Sequence, residues 1–160
     1  ADKFGYKYIC VPPQMFNDQI ISSTLIRKLL KEGNILLANR LLGTNFMLEG
    51  TVIRGAQLGR TNGFPTANIK YTPEIVQIPF GVYSARVNNR PAVLNWGMKP
   101  TVHNTKEPIV EVHIINFDGD LYGKNIEIEI TSKIRDEKKF RGLEELRTQI
   151  EKDVKECLKL

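Results

Sequence analysis

Apolar residues along the first forty positions recur every three or four, the spacing of a helix with one face turned inward. In "ISSTLIRKLLKEG", Ser22 or Ser23 stands as N-cap, Leu25, Ile26, Leu29 and Leu30 form the stripe, and Gly33 stops it. "NILLANRLLG" repeats the plan: Asn34 caps, Leu37, Ala38, Leu41 and Leu42 face inward, and Gly43 ends the helix. A helical hairpin of this size is too small to hold itself together. Ahead of it, Tyr6 to Val11 reads as a strand that begins almost at once. With no initiator methionine either, the chain is expected to start inside a larger protein.

After residue 43 the period changes from 3.6 to 2. "NFMLEGTVIRG" is a strand, then comes a Gly-rich stretch and "PTANIKY". "GVYSARVN" and "RPAVLNWG" are joined by Asn88 and Asn89, a hairpin turn signal. "PIVEVHIINF" and "KNIEIEITSKI" flank the turn "DGDLYG". In the last strand Ile126, Ile128 and Ile130 alternate with Asn125, Glu127 and Glu129, so one face is buried and one is wet. Six short strands with tight connections point to an antiparallel barrel or sandwich. A closing helix from about Leu143 carries Leu143, Leu146, Ile150, Val154 and Leu158 as the stripe expected to lie on it.

Composition changes this picture little. A chain of 160 residues, 41% hydrophobic and 26% charged, can bury a real core in one domain, or one domain plus an appendage. No apolar run approaches the roughly 20 residues that span a bilayer, and no secretory signal is visible, so a cytoplasmic protein off the membrane is expected. Two cysteines, Cys10 and Cys157, sit at opposite ends without metal spacing and read as incidental reduced thiols. A net charge of +5 suits an anionic small molecule or a solvated surface and is weak support for nucleic acid.

The candidate chemistry lies in two places. Strand alternation points Thr66 and Asn68 the same way and Ala67 the other, while Pro65 stiffens the entry. A hydroxyl and an amide carbonyl held side by side are hard oxygen donors, suited to Mg²⁺ when phosphates and waters complete its shell. Upstream, Gly55, Gly59 and Gly63 space a loop that carries Arg54 and Arg60 and could let backbone N–H groups approach phosphates. Spacing alone favours a surface loop before a Pro-initiated strand over a phosphate site. In "IVEVHIINF", Glu111 shares one strand face with His113, opposite Val110, Val112 and Ile114. Glu111 is either a solvated side chain or a general base facing a pocket. His113 reads as structural, and Asp118 and Asp120 as turn residues.

"GTVIRGAQLGRTNGFPTANI", with its PTAN core at Pro65 to Asn68, resembles the signature of the riboflavin kinase family. "NWGMKPT", "VEVHIINFDGDLYG" and "IRDEKKFRGLEELRTQI" follow in that family's order, although Asn62, Trp96 and Met98 depart from its usual residues. Residues 1–43 resemble the tail of the adenylyltransferase domain of the bacterial bifunctional riboflavin kinase/FAD synthetase, "ISSTLIR" being similar to its nucleotide-binding motif with Arg27 near an ATP phosphate. The resemblance implies a kinase domain over 44–160. It also implies a mainly β fold: a six-stranded antiparallel Greek-key barrel with a C-terminal helix, preceded by a small helical N-terminal segment. The implied reaction moves the ATP γ-phosphate to the ribityl 5′-hydroxyl of riboflavin, giving FMN and ADP. By the same resemblance Thr66 and Asn68 contact Mg²⁺ and phosphate, and Gly55, Gly59, Arg60 and Gly63 cover the nucleotide. Glu111 is the base, and Arg135, Asp136 and Phe140 border the flavin. FAD synthesis by this chain alone is not expected, since the upstream nucleotide-binding sheet of that domain is not in these residues. The competing reading is a non-catalytic barrel that binds flavin or nucleic acid, the latter calling for aromatics ranked along a strand face.

Overall fold

The computed structural model describes residues 2–7, 9–55, 63–98 and 108–159. After a short 3-10 turn over Asp2–Phe4 comes a small ladder, β1 (Met15–Phe16) against β2 (Gln19–Ile20), turned through Asn17 and Asp18 in the left-handed region. The strand expected over Tyr6 to Val11 is not formed among the described residues of that stretch, where no other strand runs beside it to take its backbone hydrogen bonds.

Helix α1 (Ser23–Lys31) is capped by Ser22, whose side chain accepts from the Leu25 N–H at 3.2 Å. Asn34 caps α2 (Ile35–Leu42) in the same way, and Gly43 closes it at φ 74°, a left-handed angle that glycine adopts without cost. Leu29, Leu30, Ile35 and Ala38 are buried in the same cluster as the barrel core, so the hairpin gains from the barrel the apolar contact it lacks alone. Asn39 ties the two together: its Nδ2 donates to the Ile130 carbonyl at 2.9 Å, and its Oδ1 accepts from the Phe46 N–H at 2.8 Å. The expected inward stripe of α2 is corrected at Leu42, which is 39% exposed, while Ile35 and Asn39 turn inward instead. The helix rotates to present the Asn39 amide to strand ends that need partners.

The six strands expected from alternation are all present: β3 (Phe46–Ile53), β4 (Ala67–Tyr71), β5 (Gly81–Val87), β6 (Arg90–Met98), β7 (Pro108–Ile114) and β8 (Asn125–Asp136). They close an antiparallel barrel in the order β3, β4, β7, β6, β5, β8, a Greek-key arrangement because β4 crosses to β7 rather than pairing with β5. Asn88 and Asn89, at φ 49° and 62°, make the mirror-image turn that matches strand twist in the β5–β6 hairpin. Inward residues such as Leu48, Tyr83, Leu94, Trp96, Val110, Val112, Ile128 and Ile130 are fully or nearly fully buried. Trp96 is fully buried inside the barrel against Tyr71, their rings 5.3 Å apart.

Helix α3 (Leu143–Cys157) lies across the outer face of β5, β6 and β8 over a second, smaller cluster of Val82, Val93, Ile115 and Cys157. Its expected stripe is corrected at both ends: Leu143 and Leu158 are 65% and 57% exposed. Asp153 and Cys157 are buried in their place, Asp153 by its ion pair with Arg135 and Cys157 by its contact with Ser84.

Candidate active site

The strand register gathers residues far apart in sequence. Asn68 on β4 is paired with Glu111 on β7, and Glu111 in turn with Asn95 on β6. Residues directly opposite in an antiparallel ladder share a face, so these three side chains form a row on the outside of the barrel. The row continues through Val82 on β5 to Arg135 on β8, where α3 begins to cover the sheet. Val110 and Val112 on either side of Glu111 are buried inside the barrel, so Glu111 is half-buried on the outer face without a carboxylate entering the core.

Asn68 is 8% exposed. Gly55, just past the end of β3, packs so closely on it that an added Cβ would fall 2.1 Å from Nδ2 and 2.7 Å from Oδ1. The missing side chain of Gly55 is thus the space the Asn68 amide occupies. Gly63 is at φ 80°, and a Cβ there would meet nothing within 4 Å, so backbone angle rather than crowding calls for glycine. Gly59 and Arg60 lie outside the described residues.

One step beyond the β4–β7 ladder, Thr66 falls level with His113. The His113 Nδ1 is 2.9 Å from the Pro65 carbonyl oxygen, and its ring meets Phe64 edge-on at 5.5 Å. Thr66 is half-buried and lines a cavity of about 570 Å³ at this end of the barrel. Val52, Ala67, Val112 and Ile114 form its strand wall, and the turn carrying Phe117, Leu121 and Tyr122 roofs it. Two arginines brace that roof, Arg54 over the Tyr122 ring at 5.4 Å and Arg90 over Phe117 at 5.8 Å. Asp120 is a turn residue, its Oδ1 accepting from the Tyr122 N–H at 2.9 Å. Thr66 therefore belongs both to the cavity wall and to the approach to the outer-face row.

The segment after β8 forms the other border. Arg135 is held on three sides: Nε and Nη2 reach the Asp153 carboxylate at 2.9 and 2.8 Å, and Nη1 reaches the Asp136 carbonyl at 2.9 Å. Its flat face lies 5.7 Å from the centre of the Phe140 ring. The Lys133 ammonium beside the exposed Asp136 carboxylate holds it below its ordinary pKa. Glu137 lays its carboxylate over Gly97, where a Cβ would stand 2.1 Å from Oε1 and 3.5 Å from the Asn95 Nδ2.

Thr66, Asn68 and Glu111 are all legible in the sequence, and the register brings the last two together. Asn95 and Gly97 are not singled out by the "NWGMKPT" segment that holds them, because their parity with Glu111 is set only by the β6–β7 pairing. Among the described residues no group of three or more His, Cys, Asp or Glu could hold a metal ion. A divalent cation here would rely on one or two neutral oxygen donors and on ligands brought by the substrate. The donor set of Thr66 and Asn68, the latter kept in place by Gly55, fits such a nucleotide-borne Mg²⁺.

The family model described as flavokinase, riboflavin kinase, matches residues 42–160. The bifunctional riboflavin kinase/FMN adenylyltransferase of Buchnera aphidicola subsp. Acyrthosiphon pisum (strain APS) is 43% identical over 95% of this chain and 51% of its own length. The chain spans about half the length of the curated relatives it matches. A solved structure described as a macrolide-efflux protein from Streptococcus pneumoniae superposes with a TM-score of 0.82 at 32% identity, over 91% of this chain and 49% of that one. The riboflavin kinase from Trypanosoma brucei superposes with a TM-score of 0.50 at 26% identity, over 71% of this chain and 77% of its own. With a matching family model over most of its length, a closed six-stranded barrel and the PTAN segment facing Glu111, the chain belongs to the riboflavin kinase family.

Proposed function

We propose that this chain phosphorylates riboflavin, moving the γ-phosphate of ATP to the ribityl 5′-hydroxyl and releasing FMN and ADP. The observation that carries the reading is the cross-strand pair of Asn68 and Glu111, set beside a cavity to which Thr66 also contributes. In phosphoryl transfer the protein mainly positions the reactants and balances charge. Glu111 accepts the hydroxyl proton as the new O–P bond forms and the bond to the ADP oxygen breaks. Thr66 and Asn68 offer their oxygens to the nucleotide-borne Mg²⁺, which when bound neutralises charge on the phosphates. The cavity behind Thr66, apolar along its strand wall and bordered by Asp118 and Asp120 in the turn, takes the nucleoside, while Gly55, Gly63, Gly59 and Arg60 attend the phosphates. Phe140, steadied by Arg135, forms the flavin border with Asp136.

Adenylylation of FMN, the second activity in the names of the relatives, is not assigned to these 160 residues. Trp96, fully buried in the barrel, offers no face on which a base could stack. Among the described residues no helix is long and apolar enough to cross a membrane.

The test is incubation with riboflavin, ATP and Mg²⁺ and chromatographic separation of riboflavin, FMN and FAD. FMN forms and FAD does not, and Glu111→Gln lowers kcat by about 10²–10⁴-fold, the range of a lost general base. Undiminished turnover in Glu111→Gln would remove the base assignment. Absence of FMN with the unaltered chain would remove the kinase reading itself.

A further inference from the structure

We propose that His113 is a positioning residue: by holding the Pro65 carbonyl it sets where the Thr66 hydroxyl stands. The inference rests on the phosphoryl-transfer reading for its kinetic consequence, though not for its geometry. The β4 ladder ends at Ala67 toward β7 and at Asn68 toward β3, so Pro65 lies beyond the rungs of both. Its carbonyl instead meets the His113 imidazole at 2.9 Å. A carbonyl oxygen only accepts, so His113 Nδ1 is the donor of this bond.

The backbone consequence is specific. The pyrrolidine ring fixes φ of Pro65, and anchoring its carbonyl oxygen fixes ψ. With both angles set, the peptide plane leading into Thr66 is determined two residues before regular strand pairing takes over. The same ring also braces Phe64 edge-on at 5.5 Å, so the turn is held on each side of the proline. His113 reaches this place because strand parity puts it on the outer face with Glu111, level with Thr66 across the β4–β7 junction. One short stretch of β7 thus carries two tasks: Glu111 faces Asn68, and His113 orders the approach to Thr66.

Three variants separate this from simple packing. His113→Phe keeps a ring against Phe64 and loses the donor, His113→Ala loses both, and His113→Asn places an amide N–H close to where Nδ1 stood. In the unliganded protein, amide exchange of Phe64 and Thr66 followed by NMR should speed up about five-fold in the Phe and Ala variants, as expected for one lost hydrogen bond. It should return to within about two-fold of the unaltered protein in His113→Asn, on the same scale of effect. The KM for MgATP should rise by about three- to ten-fold in the Phe and Ala variants and recover in Asn, with the KM for riboflavin unmoved. Unchanged exchange and unchanged KM for MgATP in His113→Phe would overturn the proposal. So would an equal loss for both substrates in all three variants, which marks a packing role. If no FMN forms at all the kinase reading falls, and the exchange measurement still decides the role of His113.

Discussion

Replacing Gly55 by alanine separates placement of the Asn68 amide from stability of the barrel. The new methyl would fall 2.1 Å from Asn68 Nδ2 and 2.5 Å from its Cγ, both side-chain atoms, so the relief is rotation of Asn68. Forcing a side chain off its rotamer costs about 0.5–1.5 kcal/mol, which for a chain of this length lowers Tm by roughly 2–5 °C. The functional cost is of another order. Asn68 must move by about an ångström or more, and such a misplacement costs on the order of 10²-fold in rate. Gly50 supplies the control: a Cβ there meets Ile69 Cγ2 at 2.5 Å and the Lys70 backbone oxygen at 2.7 Å, inside the β3–β4 ladder. Backbone cannot rotate away, so Gly50→Ala should lose about 1–3 kcal/mol by overpacking. The assay pairs FMN formation at saturating MgATP, corrected for folded fraction, with thermal unfolding of both variants. A Gly55→Ala protein that turns over within about three-fold of the unaltered chain would refute the claim that Gly55 keeps the Asn68 amide in place, since the expected loss is about 10²-fold.

Two further outcomes follow from the border beneath α3. Asp153→Ala leaves the Arg135 guanidinium without its carboxylate in a site where Asp153 is 2% exposed, so unfolding in urea should show a loss of about 3–5 kcal/mol. A smaller loss than about 1 kcal/mol would mean the pair is solvated. Glu145 accepts from the Arg141 backbone N–H and pairs with Lys138, which hold its carboxyl below the ordinary 4.5. A carboxyl depressed in the folded state contributes stability that is present above its unfolded pKa and lost as pH falls through the folded one. The stability gap between the unaltered chain and Glu145→Gln should therefore narrow as pH is lowered below about 4.5, and widening there would contradict the assignment.

How legible the molecule is in its sequence depends on the range of the interactions. All six barrel strands are legible in the sequence as short apolar-rich runs between turn signals, the alternating burial of Ile126, Ile128 and Ile130 in β8 being the plainest case. The caps at Ser22, Asn34 and Gly43 are equally local and hold. Elements whose orientation is set by one polar contact are misread. α2 turns to serve Asn39, and α3 turns to bury Asp153 against Arg135, neither of which an apolar stripe announces. The strand expected over Tyr6 to Val11 has the composition of one, but pairing needs a neighbour. In the site, parity within a strand puts Glu111 and His113 on one face. That β4 passes its neighbour in sequence to pair with β7, and does so with Asn68 against Glu111, is a long-range register that no local pattern encodes.

The β4–β7 junction has a mechanical consequence. It joins the ring through three register pairs, Ala67 to Val112, Asn68 to Glu111 and Ile69 to Val110, whereas β6 and β7 share seven. Local opening is easiest where few backbone rungs hold two strands, and Asn68 and Glu111 stand on opposite lips of this seam. Any ligand that engages both acts as a clasp, lending its binding free energy to the seam with the fewest register pairs. Substrate protection against heat or protease should then be localised, with amides on the two lips slowing most and those of the β5–β6 hairpin barely changing.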